Sequence, residues 1–201
     1  ALRVGDEGRR AASQVLERQP THMLALRARA LLSSNVARVS ENTLQPTQRL
    51  AAADDAARDW QLLSRIDPTN VVTVHNLGVA RNNAAEALLD LGRPREALAK
   101  HLESTEAMEK MAPRSSMVTG NLSGRYYGAA VIAGELGQTA LADKYKAEGF
   151  RLYRSWVKTF PAGSYEAELW ARADPVFEAE YAVARGDFET VRTESKGARE
   201  G

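Results

Sequence analysis

Four prolines punctuate the chain at nearly equal intervals: Pro20, Pro68, Pro113 and Pro161 stand 48, 45 and 48 residues apart. Each closes one amphipathic stretch and precedes another, as in Leu16-Glu17-Arg18-Gln19-Pro20 and Ser64-Arg65-Ile66-Asp67-Pro68. Proline has no amide hydrogen to continue a helix, and its ring drives the preceding residue out of the α region, so each marks a helix end. Helix ends at such intervals are what stacked helical units produce.

A second set of marks falls between the prolines. Gly92-Arg93-Pro94, Gly137-Gln138-Thr139 and Gly186-Asp187-Phe188 each follow a helical run, and Gly5-Asp6 opens the chain in a similar way. Glycine accepts the left-handed conformation that closes a helix, so these positions read as tight turns inside hairpins. The first full unit lacks such a glycine, and Ser33 to Gln45 reads as a longer loop ending at Pro46. A shift of 45 residues lays Asn76-Leu77 on Asn121-Leu122, Ala84-Ala85 on Ala129-Ala130, Leu91-Gly92 on Leu136-Gly137 and Ala97 on Ala142. Within the units, Leu50, Ala53, Ala56, Trp60, Leu63 and Ile66 recur at helical spacing, as do Val74, Leu77, Ala84, Leu88 and Leu91. The pattern predicts helices near 5–19, 22–37, 46–66, 71–91, 94–111, 116–136, 139–159, 164–185 and 188–195, with a frayed tail at 194–201. The expected fold is all-α, a right-handed superhelical array of antiparallel helix hairpins over residues 1–193.

Aromatic residues are only 6% of the 201 residues, and alanine is abundant, which favours close helix packing over a β-sandwich. The net charge is +1, from 27 basic and 26 acidic residues spread in alternating blocks, so the clustered basic surplus of a nucleic-acid binder is missing. No cysteine is present, which removes disulfides and thiolate metal sites. No apolar run reaches the length of a membrane span, and no signal peptide opens the sequence. The cytosol is favoured as compartment, the periplasm requiring an upstream membrane segment. The first residue is Ala1 and a helical pattern begins at once, so the chain reads as a piece of something longer.

The residues Asn76-Leu77-Gly78, then Leu91-Gly92-Arg93-Pro94-Arg95-Glu96-Ala97, resemble the tetratricopeptide pattern, as do Ala56, Trp60, Leu63 and Pro68 in the preceding helix. That family's repeat is about 34 residues, and these units are longer. Seven of the extra residues separate Gly78 from Gly92, close to two helical turns, which keeps an apolar face nearly in line. The match is weakest in the fourth unit, where Pro175 interrupts the first helix. The resemblance implies a binding surface on the first helix of each hairpin. It also implies company with bacterial kinases, regulators and other multidomain signalling proteins.

Catalytic signatures are absent: there is no phosphate-cradling glycine loop and no dinucleotide fingerprint. Gly120-Asn121-Leu122-Ser123-Gly124 imitates a nucleophile elbow, but its serine is misplaced for that motif and sits in an expected helix. His22, His75 and His101 are too dispersed for a metal site and read as structural. Asp54-Asp55 and Glu178/Glu180 read as solvated faces. No cofactor is expected.

Two features invite a functional reading. Gly120, Gly124 and Gly128 form a stripe at four-residue spacing in the expected 116–136 helix, each costing about 1 kcal/mol against alanine. Close helix contact is the first explanation, and a ligand-groove floor the second. The other feature is a polar set that the resemblance puts on the groove: Arg27, His75, Asn76, Asn82, Asn83, Asn121, Arg125, Tyr126 and Tyr127. Asparagine is a poor mid-helix residue, arginine forks to carboxylates, and tyrosine offers stiff contact area. Trp60, Trp156 and Trp170 are expected to fill gaps between helices. The leading expectation is a non-enzymatic protein- or peptide-binding scaffold or regulatory module of a larger signalling protein. The alternative is a small-ligand sensor coupled to an attached kinase or transcription-regulator domain. A deep pocket walled by Tyr126, Tyr127 and the glycine stripe would favour the sensor, and an open polar groove the peptide binder.

Overall fold

Two or three residues after each of the four prolines, a side chain caps the helix that follows. His22 Nδ1 accepts from Ala25 N at 3.2 Å, Asn70 Oδ1 from Thr73 N at 3.1 Å, Ser115 Oγ from Val118 N at 3.4 Å, and Ser164 Oγ from Ala167 N at 3.1 Å. Each bond satisfies an amide that the first helical turn cannot. Stop and start signals therefore travel together at each of the four prolines.

The computed structural model describes residues 2–39, 45–171 and 174–187. They form helices α1 (Leu2–Arg18), α2 (Met23–Val39), α3 (Pro46–Ile66), α4 (Val71–Asp90), α5 (Pro94–Glu109), α6 (Ser116–Glu135), α7 (Thr139–Val157), α8 (Tyr165–Ala171) and α9 (Asp174–Ala184). A short 3-10 turn at Ala112–Arg114 precedes α6. No strand occurs among the described residues. No helix among them is long and apolar enough to cross a membrane.

The turns at Gly92, Gly137 and Gly186 share one geometry, with φ of 68°, 72° and 71°. In each, the glycine amide and the next amide reach back to the helix: Gly92 N to Leu89 O and Arg93 N to Leu88 O, Gly137 N to Gly134 O and Gln138 N to Ala133 O, Gly186 N to Val183 O and Asp187 N to Ala182 O, all at 2.8–2.9 Å. These are Schellman closures, in which a left-handed residue lets two orphan carbonyls be satisfied at once.

Several boundaries differ from the sequence reading. Gly5 and Asp6 lie inside α1 and make no turn there. α2 continues to Val39, so the stretch from Ser33 that was also read as the start of a loop stays helical; Ser33 is buried and Ser34 accepts from the Trp60 indole, so these serines pack within the helix rather than interrupt it. The helix expected over 164–185 is two helices, α8 ending at Ala171 and α9 starting at Asp174, beside the proline that breaks the pattern. The expected helix at 188–195 and the tail lie outside the described residues.

The described residues fall into two compact units, one within 1–111 and the other within 112–201. In the first, successive helices pack against each other from α1 to α5. Its core joins Leu16, Leu26, Ala30, Ala56, Trp60, Leu63, Leu77 and Ala80. Val36, Ala37, Ala52, Ala53 and Ala84 form a second cluster. Trp60 is 1% exposed and donates its indole N–H to Ser34 Oγ at 3.3 Å, so it fills the gap its spacing suggests. A charged clasp runs through this core. Arg29 of α2 forks onto Asp59 of α3, with both bonds at 2.7 Å, and also reaches Ser13 of α1 at 3.2 Å. Asp59 is 1% exposed, and the hydrogen bonds to it hold the Arg29 guanidinium's pKa above its ordinary value.

In the second unit, α6 and α7 pack along each other, α9 lies against α6, and α8 against α7. The crossing of α6 and α7 is close because Gly149 stands at it. A Cβ there would sit 3.2 Å from Ser123 O and Tyr127 N and 3.3 Å from Tyr126 Cβ, so any larger residue would push the helices apart.

Candidate functional site

The second unit carries a half-open cavity of about 420 Å³. Its floor comes from α6 at Gly120, which lies under the Trp156 ring, and at Gly124, which leaves the backbone bare, with Gly149 of α7 beside them. The walls are aromatic: Tyr127 from α6, Phe150, Tyr153 and Trp156 from α7, Trp170 from α8 and Phe177 from α9. Residues 150, 153 and 156 recur every three positions and so share one helix face.

The rings are held edge to face. Trp156 and Trp170 meet at 5.1 Å and 63°, and Tyr153 and Phe177 at 5.5 Å and 88°. Aromatic quadrupoles favour such tilted contacts, each contributing about 0.5–1.5 kcal/mol beyond area burial. The tyrosine hydroxyls stabilise the walls themselves. Tyr127 donates to Phe177 O of α9 at 3.0 Å, and Tyr153 donates to Trp170 O of α8. Further ties hold α9 to α7: Lys146 pairs with Glu178, and Tyr181 donates to Asp143 at 2.7 Å. Burial and the Asp143 bond push the Tyr181 hydroxyl up to about 12, so it stays a donor across the physiological range.

Polar lining is sparse. Asn121 donates to Met117 O at 2.9 Å and Ser123 donates to Gly120 O at 2.7 Å, so both donors serve their own helix. Arg125 is the one charged residue among the described lining residues, and no carboxylate is among them.

The glycine stripe needs a divided account. Gly120 is a packing glycine: a Cβ there would lie 2.6 Å from Trp156 Cε2. At Gly124 a Cβ would meet nothing within 4 Å, so the expectation of close helix contact is corrected there. That glycine borders the hollow instead. Trp156 and Trp170 pack against each other between α7 and α8, Trp156 also lies over Gly120 of α6, and both border the hollow.

The polar candidates separate by unit. In the first, Arg27 is exposed, His75 and Asn76 are half-buried, and Asn82 and Asn83 are buried within α4 packing rather than displayed on a groove. Asn82 donates to Glu86 on its own helix, and Asn83 Nδ2 is buried with no hydrogen-bond partner among the described residues. In the second unit, Asn121, Arg125 and Tyr127 come together on the cavity, whereas Tyr126 is buried beside it with its ring 5.7 Å from Tyr145. Sequence reasoning overlooked Phe150, Tyr153 and Phe177. The signal was present: of thirteen aromatic residues, all but Trp60 fall at or after Tyr126.

No group of three or more His, Asp or Glu side chains among the described residues is arranged to hold a metal ion. No protein-family model matches the chain, and comparison with curated proteins and with solved structures finds no match.

Proposed function

We propose that this chain is a non-enzymatic binding module of stacked helical hairpins, tetratricopeptide-like in a right-handed superhelical array, whose second unit takes a small, largely apolar ligand into its aromatic cavity. The observation that carries this reading is the 420 Å³ hollow with a glycine floor and six aromatic walls. Its size falls in the ~300–1,000 Å³ range of small-molecule sites, which are likewise mostly apolar with few polar groups. A glycine with open space above it, in a helix where alanine would be better by about 1 kcal/mol, is accounted for by a hollow that must stay open. The sensor is thereby preferred to the peptide scaffold, whose polar groove in the first unit has two of its residues, Asn82 and Asn83, buried. A ligand touching Trp156, Trp170 and Phe177 would bridge α7, α8 and α9, and that is how occupancy would be felt beyond the cavity.

The test uses the whole chain carrying Trp60→Phe, which leaves Trp156 and Trp170 as the only indoles. Titration with a neutral aryl probe, 4-phenylbutyramide, should produce a saturable change in their emission that Gly124→Leu removes. A linear, non-saturating response up to the probe's solubility limit would overturn the reading.

A further inference from the structure

The polar lining of the hollow spends its donors inside the protein. Asn121 gives an amide N–H to Met117 O at 2.9 Å, Ser123 its hydroxyl to Gly120 O at 2.7 Å, Tyr127 its hydroxyl to Phe177 O at 3.0 Å, and Tyr153 its hydroxyl to Trp170 O. Arg125 is already engaged within the protein, and no carboxylate stands in the described lining, so neither sign of ligand charge finds a counter-charge held in reserve. What the lining keeps is an acceptor. Asn121 is half-buried at the edge of the floor, between Gly120 and Gly124 in the chain, and its Oδ1 has no partner among the described residues. Because Nδ2 is turned back onto the helix carbonyl one turn earlier, the amide oxygen is the open end of that side chain.

Size and wall geometry narrow the ligand further. A void of about 150 Å³ takes one benzene ring; this hollow has well over twice that space, part of it at the open mouth. Its walls stand at steep angles to each other, 63° between Trp156 and Trp170 and 88° between Tyr153 and Phe177. A flat aromatic body meets such walls in the tilted and edge-on contacts that ring pairs prefer, which an alkyl chain does not. Resting on the cavity reading above, we infer that the ligand is an uncharged, fused two-ring aromatic with a ring N–H, its rings over Gly124 among Tyr153, Trp156, Trp170 and Phe177 and its N–H given to Asn121 Oδ1. A ring oxygen in place of the N–H sets two acceptors against each other and loses the bond.

Three probes test each part of this assignment by isothermal titration calorimetry of the whole chain: indole, its isostere benzofuran, and pyrrole. Indole should bind about threefold to tenfold more tightly than benzofuran, the gain of one neutral hydrogen bond. Pyrrole keeps the N–H but lacks four buried carbons, and should be weaker than indole by about tenfold or more. Asn121→Ala should bring indole down to the affinity of benzofuran and leave benzofuran unchanged, with circular dichroism checking that the variant is folded. Equal binding of indole and benzofuran, or a gap that survives Asn121→Ala, overturns the donor assignment; pyrrole binding as tightly as indole overturns the two-ring assignment. In each of those cases the cavity reading stands, provided Gly124→Leu abolishes the binding. Failure of all three probes to bind overturns both.

Discussion

Replacing Gly124 by leucine should stabilise this protein and abolish ligand binding. Leucine is a better helix former than glycine by about 0.8 kcal/mol. A Cβ at this position meets nothing within 4 Å, so no overpacking opposes that gain. The remaining side-chain atoms enter a hollow lined by Tyr127, Tyr153 and Trp156, where partial burial contributes roughly 1–2 kcal/mol. Lost rotamer freedom costs about 0.5–1 kcal/mol. The net stabilisation is about 1–2 kcal/mol, which for a unit of this size raises the melting temperature by roughly 5–10 °C. Truncating a buried leucine leaves a void of about 150 Å³, so the same side chain would occupy roughly a third of the 420 Å³. Gly120→Leu is the matched control. It has the same helix-propensity gain, but its Cβ would press on the Trp156 ring at 2.6 Å, and overpacking of about 1–3 kcal/mol cancels or reverses the benefit. Differential scanning calorimetry of both variants, with 4-phenylbutyramide titration of each, reads the two effects separately. A lower melting temperature for Gly124→Leu would refute the open floor. A higher one with undiminished binding would move the ligand elsewhere.

Other perturbations probe the frame around the cavity. Asp59→Ala should cost about 3 kcal/mol or more in chemical denaturation, because Arg29 loses both bonds of its fork inside the α1–α3 core; a loss under 1 kcal/mol would show that the clasp is dispensable. Asn83→Ala should stabilise by about 1 kcal/mol, since it removes a buried unpaired amide and improves helix propensity, and a clear destabilisation in the same assay would reveal a hidden partner. Asp67 accepts from the Thr69 hydroxyl and amide, which holds its carboxyl below the ordinary aspartate range. Because the folded value is depressed, its stabilisation is present above the unfolded pKa and disappears as pH falls through the folded one. Thr69→Ala should therefore lower the melting temperature at neutral pH but leave it unchanged once Asp67 is protonated in both states; an equal deficit at every pH would assign the effect to packing. Gly137→Ala places a Cβ at φ 72° and should cost about 1–2 kcal/mol by thermal melting, with no loss expected if that turn has another way to close.

The all-helical order, the stops at Pro20, Pro68, Pro113 and Pro161 and the closures at Gly92, Gly137 and Gly186 were legible in the chain. They depend on what one residue's own backbone can do: a missing amide, a ring against its neighbour, a left-handed φ. Such constraints act locally, and they hold whatever the helices later pack against. Even their failures are instructive, since Gly5 has the same letter as Gly92 but sits within α1, with no stop following it. The site obeyed a different rule. Whether Gly120 and Gly124, four residues apart on one face, are packed or open depends on which helix crosses above each of them. Trp156 comes down on the first and leaves the second bare. The cavity likewise needs rings from four helices separated by up to 50 positions, as in Tyr127 and Phe177, and a hollow is a property of the space between surfaces, which no single helix encodes. Asn82 and Asn83 show the converse: polarity predicted exposure, but their positions around α4 turned them into the packed interior, because helical phase and neighbouring helices decide burial while side-chain type only biases it.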